Sequence, residues 1–268
     1  MSSWVPWVGG VTAGLGLAYL LAVAAKFGFL RTRGHFTLRR ELASRRVPQP
    51  STAPPAITFV CPVTRPDMAG RVLEAGLGDL DEQAPRILHA NTGSGALVAA
   101  KLFNKLGPAV ETEFVAFCHQ DWRPIDRDWV ARTLEVFAAR PACEMVAQIG
   151  VLDADRDRLG GRILDPHGYA GEAGSHLLHS PDEQCFVLRV ARLRELPFDE
   201  ANLPEFHFYA VDYAYELQRR GFEVWSTPAL GYHASATGAI TSPQFKRARE
   251  VLRRKYGAGA VRATTGWI

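Results

Sequence analysis

The chain has 268 residues, 47% of them hydrophobic and 22% charged, which suits one full-sized α/β domain with extensions and leaves little room for a second enzymatic domain. Its net charge of +3 gives no argument for a nucleic-acid partner, which would require a concentrated basic surface. The four cysteines lie far apart with no CxxC pair, so buried free thiols are favoured over a zinc site or a disulfide framework.

An uncharged run near the N-terminus predicts a membrane anchor. Residues 4–25 contain no charged side chain, and about 20 apolar residues suffice to cross the hydrocarbon core of a bilayer. We therefore predict a single-pass transmembrane helix within residues 1–26. A cleaved signal peptide is one alternative, because residues 22–24 look like a small-residue cleavage site. A segment that lies in the interface or packs against a partner protein is the other.

Basic residues follow this run and set the predicted orientation. They are Lys26, Arg31, Arg33, Arg39, Arg40, Arg45 and Arg46, with Glu41 as the one acidic residue among them. By the positive-inside rule, the main domain is expected on the cytoplasmic side of the membrane. Residues 27–55 as a whole are predicted to be a basic and Pro-rich linker, because their last part, VPQPSTAPP, is typical of a semi-rigid spacer.

Strand and helix patterns alternate along the predicted main domain, residues 56–240. In chain order they predict a strand over 57–63, a helix over 69–77, a strand over 86–90, a helix over 95–106, a strand over 113–119, a helix capped by Asp128, a strand over 143–152, a strand over 184–190, a helix over 208–220 and a strand over 222–227. The Gly-rich stretch 153–180 is predicted to be an irregular loop. This alternation implies an α/β fold with a mostly parallel sheet flanked by helices.

The last segment, residues 241–268, is predicted to be a basic amphipathic helix and tail. From Ser242 to Tyr256 the apolar residues share one side, and Lys and Arg surround the rest. Such a helix either rests on anionic lipid or packs on the domain with its basic face in water. The pattern leaves both possibilities open.

Two polar side chains lie at and just after the end of the predicted strand over 113–119. His119 and Asp121 stand at its carboxyl end, where ligands bind in open α/β sheets, and strand alternation puts them on the same side. A carboxylate there can hold Mg²⁺ or Mn²⁺, and substrate phosphates and water complete the shell of such a metal. The alternative is an aspartate that caps the next turn and a histidine packed at the sheet edge.

A second acidic candidate is Asp212. It stands in the first turns of the predicted helix over 208–220. An acid near a helix N-terminus is stabilised as the anion, which suits a base that accepts a proton from an acceptor hydroxyl. Simple complementation of the helix dipole by the same residue is the alternative.

A third candidate is His233, which follows the last predicted strand. A neutral imidazole is a good ligand for a transition metal such as Mn²⁺, and a loop after a strand can reach back to the site. An ordinary surface or core histidine is the alternative.

Taken together and in order, these segments resemble the GT-A glycosyltransferases, in the family-2-like branch whose metal motif is His-Gln-Asp. The matching segments are FVAFCHQDW, DEQCFVLR followed by PFDE, EFHFYAVDYAYELQRRG and GYHASATG. The resemblance covers residues 57–238 and implies a Rossmann-like GT-A fold.

The resemblance also implies an inverting, divalent-metal-dependent glycosyltransferase. Asp121 and His233 would bind Mn²⁺ or Mg²⁺, and Asp212 would be the general base. The nucleotide of a UDP- or GDP-sugar would lie near Thr64, Asn91, His119 and Gln120, and the acceptor or sugar near Trp122, Asp182, Glu183 and His207. The acceptor is expected from the predicted membrane location alone, which suggests a lipid-linked or cell-surface glycan.

The sequence departs from that family pattern at two positions. His119 stands in place of a second metal-binding carboxylate, and Val211 replaces the acid that usually precedes the base. Three alternatives therefore stay open. They are a non-catalytic, membrane-tethered scaffold with a vestigial GT-A site, a metal-assisted hydrolase, and a lipid-surface binding module.

Overall fold

The computed structural model describes residues 34, 36–44, 54–82, 84–203, 205–234 and 241–268. The predicted anchor, residues 1–26, and most of the predicted linker lie outside these ranges. Within them, no helix is both long and apolar enough to span a membrane. Residues 36–43 are helical, and Leu38 from this helix is buried against Ile125 and Tyr232. This part of the predicted linker is therefore folded onto the domain.

The strands are short and numerous. In chain order they are β1 (Ile57–Val63), β2 (Arg86–Ala90), β3 (Phe114–Cys118), β4 (Trp122–Pro124), β5 (Cys143–Ala147), β6 (Ile149–Leu152), β7 (Leu159–Gly161), β8 (Ile163–Asp165), β9 (Gly168–Ala170), β10 (Leu178–Pro181), β11 (Cys185–Arg189), β12 (Glu223–Ser226), β13 (Gly231–His233), β14 (Arg262–Ala263) and β15 (Gly266–Trp267).

Apart from the helix over residues 36–43, the α-helices of the described residues lie between the strands of the central sheet and after them. They are α1 (Pro66–Met68, continued by a π-helix over Ala69–Glu74 and an α-helix over Ala75–Gly78), α2 (Ala99–Leu106), α3 (Trp129–Ala139), α4 (Val190–Glu195), α5 (Tyr209–Gln218) and α6 (Pro243–Tyr256). Asp128 occupies the residue before α3, as predicted, but its side chain makes no capping hydrogen bond.

Six strands form the central sheet in the order β12-β5-β11-β3-β1-β2. β1 is parallel to β2 and β3, and β5 is parallel to β12. β11 alone in this sheet runs antiparallel to both of its neighbours, β3 and β5. Apolar clusters cover both faces, and the four cysteines are buried and free. The predicted α/β fold with a mostly parallel sheet flanked by helices is confirmed, with one reversed strand.

The predicted strand over 143–152 is divided at Gln148. β5 belongs to the central sheet, whereas β6 pairs with β7 and β10 in a second sheet. Gln148 is 1% exposed, and its Oε1 accepts a hydrogen bond from Nε1 of Trp129 at 3.0 Å. Its Nε2 donates to the carbonyls of Arg162 and Ala229 at 2.9 and 2.8 Å. Because these partners come from separate parts of the chain, the buried amide fixes where the chain changes sheets.

The predicted loop over 153–180 contains strands β7, β8 and β9 and the start of β10. Its glycines allow close backbone contact between these strands. Gly161 and Gly171 have φ angles of +83° and +77°, and a Cβ atom on Gly171 would lie 2.0 Å from the carbonyl oxygen of Gly161. The glycine content therefore reflects tight strand packing, where we predicted an irregular loop.

A third sheet, in the order β4-β13-β8-β9, brings His233 to the end of β3. β13 runs antiparallel to β4, with His233 opposite Trp122. The N–H of Ala234 donates to the carbonyl of Asp121 at 2.8 Å. This pairing places the predicted metal residues of two distant segments side by side.

The C-terminal helix α6 packs on the domain. Ser242 caps it by accepting a hydrogen bond from the N–H of Phe245 at 3.1 Å. Phe245 and Leu252 from its apolar side are buried with Phe208 and Val211. Contact of its basic side with lipid, and the predicted domain boundary at residue 240, stay predictions.

Candidate metal centre and active site

Three side chains converge beyond the carboxyl end of β3. His119 follows that strand, Asp121 directly precedes β4, and His233 ends β13. One potential ligand atom from each residue lies within 4.8 Å of the other two. Two imidazoles and a carboxylate form a donor set that transition-metal ions such as Mn²⁺ accept. The sequence predicted Asp121 and His233 as ligands, and the structure adds His119 to the group.

The environment of His233 fits a metal ligand. Its Nε2 atom lies 3.4 Å from Oδ1 of Asp121, yet this buried nitrogen makes no hydrogen bond among the described residues. Buried polar atoms are normally satisfied, and a cation between the imidazole and the carboxylate would satisfy this one. The residues present at the site therefore fit a divalent metal ion.

The two histidines have opposite electrostatic settings. Burial lowers the pKa of His119, and the neighbouring His233 lowers it further. Burial also lowers the pKa of His233, but the adjacent carboxylate of Asp121 outweighs that effect, and the pKa is raised. His119 is thus held in the neutral form that binds metals, whereas a metal would have to displace a proton from His233 at low pH.

Gln120 joins the ends of β3 and β1. Its Oε1 accepts hydrogen bonds from the backbone N–H groups of Thr64 and Arg65 at 3.0 and 2.7 Å. Its Nε2 donates to Oγ1 of Thr64 at 2.8 Å. The structure therefore brings the predicted nucleotide residues Thr64 and Gln120 together, next to the metal residues His119 and Asp121.

Asn91, also predicted near the nucleotide, shapes the loop after β2. Its Nδ2 donates to the carbonyl of Leu97 at 2.9 Å, and its Oδ1 accepts from the N–H of Leu97 at 2.8 Å. Its own N–H donates to the carbonyl of Val63 at 2.8 Å. With 4% of its surface exposed, Asn91 uses its amide to close this loop.

The N-terminus of α5 lies beside His119. The hydroxyl of Tyr209 is 3.2 Å from Nε2 of His119 and donates to the carbonyl of Glu183 at 3.4 Å. The carboxylate of Glu183 accepts a hydrogen bond from the N–H of Ala210 at 3.2 Å. Phe208, just before the helix, has a φ of +64°. A bulky residue in this conformation is strained, and such strain is concentrated at functional sites.

Glu183 titrates far from its ordinary range. Burial raises its pKa from 4.5 to about 8, and the N–H of Ala210 only partly offsets this. The negative charge of Asp182 raises it as well. A carboxyl group with a pKa near neutrality is suited to proton transfer.

Asp212, the predicted base, lies in a different environment. The residue is 2% exposed. Its Oδ1 accepts from Nζ of Lys255 at 2.8 Å and from the hydroxyl of Tyr256 at 2.7 Å, and its Oδ2 lies 3.1 Å from the same ammonium. Burial raises the pKa of Asp212 although Lys255 and Tyr256 act to lower it. The carboxylate of Asp212 therefore connects α5 to α6.

Trp122 requires a correction. We predicted that it faces the acceptor or the sugar, but its side chain is fully buried, at 0% exposure. Its ring packs 6.3 Å from that of Phe59 and 5.3 Å from that of Trp129, centroid to centroid. Because β4 turns the chain back into the core directly after Asp121, the ring of Trp122 is part of the hydrophobic core, and its backbone lies opposite that of His233.

The other two residues predicted near the acceptor lie close to the site. Asp182 accepts a hydrogen bond from the hydroxyl of Thr264 at 2.8 Å and from the N–H of Gln184 at 3.2 Å. Its charge acts to raise the pKa of His119, whereas His207 acts to lower it. Both side chains are therefore within electrostatic reach of the metal residues.

Several residues that complete this arrangement are not among the predicted site residues. Tyr209 belongs to the FHFYAVD segment, whose match to the family motif was the available signal. Lys255, Tyr256 and Thr264 lie in the C-terminal segment beyond the resemblance. No pattern along the chain connects them with Asp212 or Asp182.

Comparisons with known proteins agree with the described fold. No protein-family model matches the chain, and no curated protein has a significant sequence match. The mannosyltransferase PcManGT from Pyrobaculum calidifontis, solved in complex with GDP-Man and Mn²⁺, is similar with a TM-score of 0.51 and 12% identity, over 89% of this chain and 74% of that one. GalNAc-T7, solved with UDP, GalNAc and Mn²⁺, is similar with a TM-score of 0.52 and 6% identity, over 76% of this chain and 48% of that one.

The chain therefore has the fold of the GT-A glycosyltransferases. It spans about half the length of the GalNAc-T7 chain. At these identities the similarity establishes the architecture, and the reaction has to be argued from the site.

Proposed function

We propose that the chain is an inverting, divalent-metal-dependent glycosyltransferase that moves a sugar from a nucleotide-sugar to a hydroxyl acceptor. The observation that carries this proposal is the cluster of His119, Asp121 and His233 in a GT-A fold. It lies beyond the carboxyl end of a central strand, the position at which open α/β sheets bind their ligands. In a GT-A fold that had lost its metal site, nothing would hold three potential metal ligands within 4.8 Å of one another.

The metal residues would be His119, Asp121 and His233. When bound, the metal supplies positive charge that stabilises the diphosphate leaving group. Two nitrogen ligands favour Mn²⁺ over Mg²⁺, because Mg²⁺ prefers oxygen ligands. The similar structures, solved with Mn²⁺, support the same choice.

The nucleotide would bind along the loop after β1. Gln120 holds the backbone of Thr64 and Arg65 beside the metal residues, so a diphosphate on the metal would extend its nucleoside toward this loop. UDP and GDP are the nucleotides to test first, because PcManGT was solved with GDP-Man and GalNAc-T7 with UDP.

For the acceptor, we propose a lipid-linked or cell-surface glycan that the enzyme meets at the cytoplasmic face of the membrane, with residues 1–26 as its single-pass anchor. The uncharged run and the basic residues after it support this location. A cavity of about 630 Å³ beside the strand of His233 supports a partly apolar acceptor, because its lining includes Leu38, Leu42 and Val72 together with Arg39. Activity confined to soluble small acceptors would contradict this part of the proposal.

The test is binding of UDP, GDP and CDP to the full chain and to its Asp121→Ala variant, each with Mn²⁺, Mg²⁺ or a chelator. We expect metal-dependent binding that the variant loses. Absence of binding by the folded chain would favour the non-catalytic scaffold. Product analysis with and without an acceptor then separates a transferase from a hydrolase, since a hydrolase releases the free sugar at the same rate in both cases.

A further inference from the structure

The base expected from the family resemblance, Asp212, is poorly placed to act on a substrate. Its carboxylate is almost fully buried and holds the ammonium of Lys255 and the hydroxyl of Tyr256. A general base must come within hydrogen-bonding reach of the proton that it accepts. Release of Asp212 toward a substrate would require α6 to separate from α5 and would leave Lys255 without its main partner.

A second carboxylate, that of Glu183, belongs to a segment that contacts the metal residue His119. β11 is antiparallel to β3, with Cys185 opposite Cys118, and the N–H of His119 donates to the carbonyl of Gln184 at 2.8 Å. Glu183 directly precedes Gln184, just beyond the paired residues of β11 and β3. It therefore lies at the edge of the sheet where His119 begins the metal motif.

The side chain of Glu183 is held in place by the strained start of α5. The N–H of Ala210 donates to its Oε1 at 3.2 Å, and Phe208, two residues earlier, has the left-handed φ of +64°. The hydroxyl of Tyr209 contacts both the carbonyl of Glu183 and the imidazole of His119. One helix start therefore positions the carboxylate and supports a metal residue at the same time.

We infer that Glu183 is the side chain that accepts the proton of the acceptor hydroxyl, and that Asp212 is a positioning residue that ties α6 to α5. The inference rests on the proposed glycosyltransferase function. Glu183 keeps part of its surface exposed, whereas Asp212 is 2% exposed and its carboxylate is held by Lys255 and Tyr256 of α6.

The reaction step balances with the groups already named. The acceptor hydroxyl transfers its proton to the carboxylate of Glu183, and the acceptor oxygen forms a bond to the anomeric carbon. The bond between that carbon and the diphosphate oxygen breaks, and its electron pair leaves with the nucleoside diphosphate. Attack opposite the leaving group inverts the anomeric configuration.

The test compares Glu183→Gln with Asp212→Asn in the full chain. Glutamine keeps the shape of the side chain and can still accept a hydrogen bond from Ala210, but it cannot take a proton. We expect Glu183→Gln to lower kcat at least about 100-fold, the usual contribution of a general base, with unchanged KM for the donor and unchanged metal-dependent nucleotide binding. We expect Asp212→Asn to lose stability and less than about tenfold in kcat.

A pH profile separates proton transfer from a structural effect. With Mn²⁺ kept saturating at every pH, so that the proton of His233 does not limit metal binding, kcat/KM in the wild type and in Asp212→Asn should rise with pH as Glu183 ionises. This rise should vanish in Glu183→Gln. The titratable groups beside Glu183 are Asp182 on its own segment and Tyr209 on α5. Glu183→Asp, which keeps a carboxylate, should recover part of kcat and shift the pH at which kcat/KM rises. It also serves as the second variant if Glu183→Gln does not fold.

Two outcomes would overturn the inference while the proposed function survives. One is a Glu183→Gln enzyme with more than about a tenth of wild-type kcat. The other is a rise with pH that persists in Glu183→Gln and disappears in Asp212→Asn, which would return the role of base to Asp212. A wild-type chain that binds nucleotide and metal but transfers no sugar to any acceptor would instead refute the proposed function, and the inference with it.

Discussion

The ammonium of Lys255 lies 2.8 Å from Oδ1 of Asp212, and the side chain of Asp212 is only 3% exposed. Asp212 belongs to α5 and Lys255 to the last turn of α6. The residues around the start of α5 include Glu183 and Tyr209, which contact the site. The ion pair thus connects the C-terminal segment to the helix that supports the candidate active site.

The first prediction concerns this ion pair. Lys255→Met should lower the free energy of unfolding by about 3 kcal/mol, because it leaves a buried carboxylate without its cation. Chemical denaturation measures the change. Lys246→Met, at an exposed position on the same helix, is the matched control and should change stability by less than about 0.5 kcal/mol. Equal stability of the two variants would mean that the pair does not anchor α6.

The second prediction concerns the metal centre. Asp121→Asn and His233→Ala should each weaken Mn²⁺ binding by at least about 100-fold, because each removes a direct ligand and removal of mere supporting groups already costs 10- to 100-fold. Calorimetric titration of the full chain with Mn²⁺ measures this. His167→Ala, at an exposed position in the turn between β8 and β9, should bind Mn²⁺ as the wild type does. Wild-type affinity in both ligand variants would place the metal elsewhere.

The third prediction follows from the raised pKa of Glu183, about 8 in place of the ordinary 4.5. The folded protein holds the proton more tightly than the unfolded chain, so this group contributes stability that is fully present below pH 4.5. That contribution is lost as the pH rises through about 8. Between these limits, the wild type should therefore lose stability relative to Glu183→Gln, whose amide does not titrate.

Thermal or denaturant unfolding of both proteins at matched pH values tests the third prediction. The difference in stability between wild type and Glu183→Gln should grow as the pH rises from 4.5 to 8. Parallel curves would show that Glu183 titrates at an ordinary pKa. In that case burial does not shift its ionisation.

The fourth prediction concerns the buried amide of Gln148. Gln148→Leu should cost about 3 kcal/mol of stability, because it leaves the indole N–H of Trp129 and the carbonyls of Arg162 and Ala229 without their partner. Gln244→Leu, on the exposed side of α6, is the control. If the two variants unfold at the same denaturant concentration, Gln148 does not hold the sheets together.

Much of the central sheet could be predicted because its signals are local. β1 and β2 have the bounds that their apolar runs predicted, and β3 lies within one residue of its prediction at each end. The split at Gln148 could not be predicted, since the run from Cys143 to Leu152 is mostly apolar and is interrupted at single positions, by Glu144, Gln148 and Gly150. The division depends on hydrogen bonds from distant residues, which a local pattern does not contain.

The metal residues were predicted in part. The position of Asp121 and His119 follows from the end of an apolar strand, and a sheet edge collects such residues whatever the rest of the chain does. His233 was a candidate because it follows the last predicted strand, and the family resemblance named it as the second metal ligand. Its distance to Asp121, however, depends on the pairing of β13 with β4. Trp122 was misplaced, because the short strand after Asp121 returns the chain to the core.

By itself, the sequence determined the alternation of strands and helices and the polar residues that end β3, because each of these depends on neighbours along the chain. The GT-A architecture was implied by the resemblance of its ordered motifs to that family. The tertiary structure decided the environments of the two candidate bases. Glu183 and Asp212 are both acids near the start of α5 in space, and the sequence favoured Asp212 as the base because it stands in the first turns of the predicted helix. Burial under α6 and the charge of Lys255 enclose Asp212, whereas Glu183 stays beside the metal residues, and both environments arise from contacts between residues far apart in the chain.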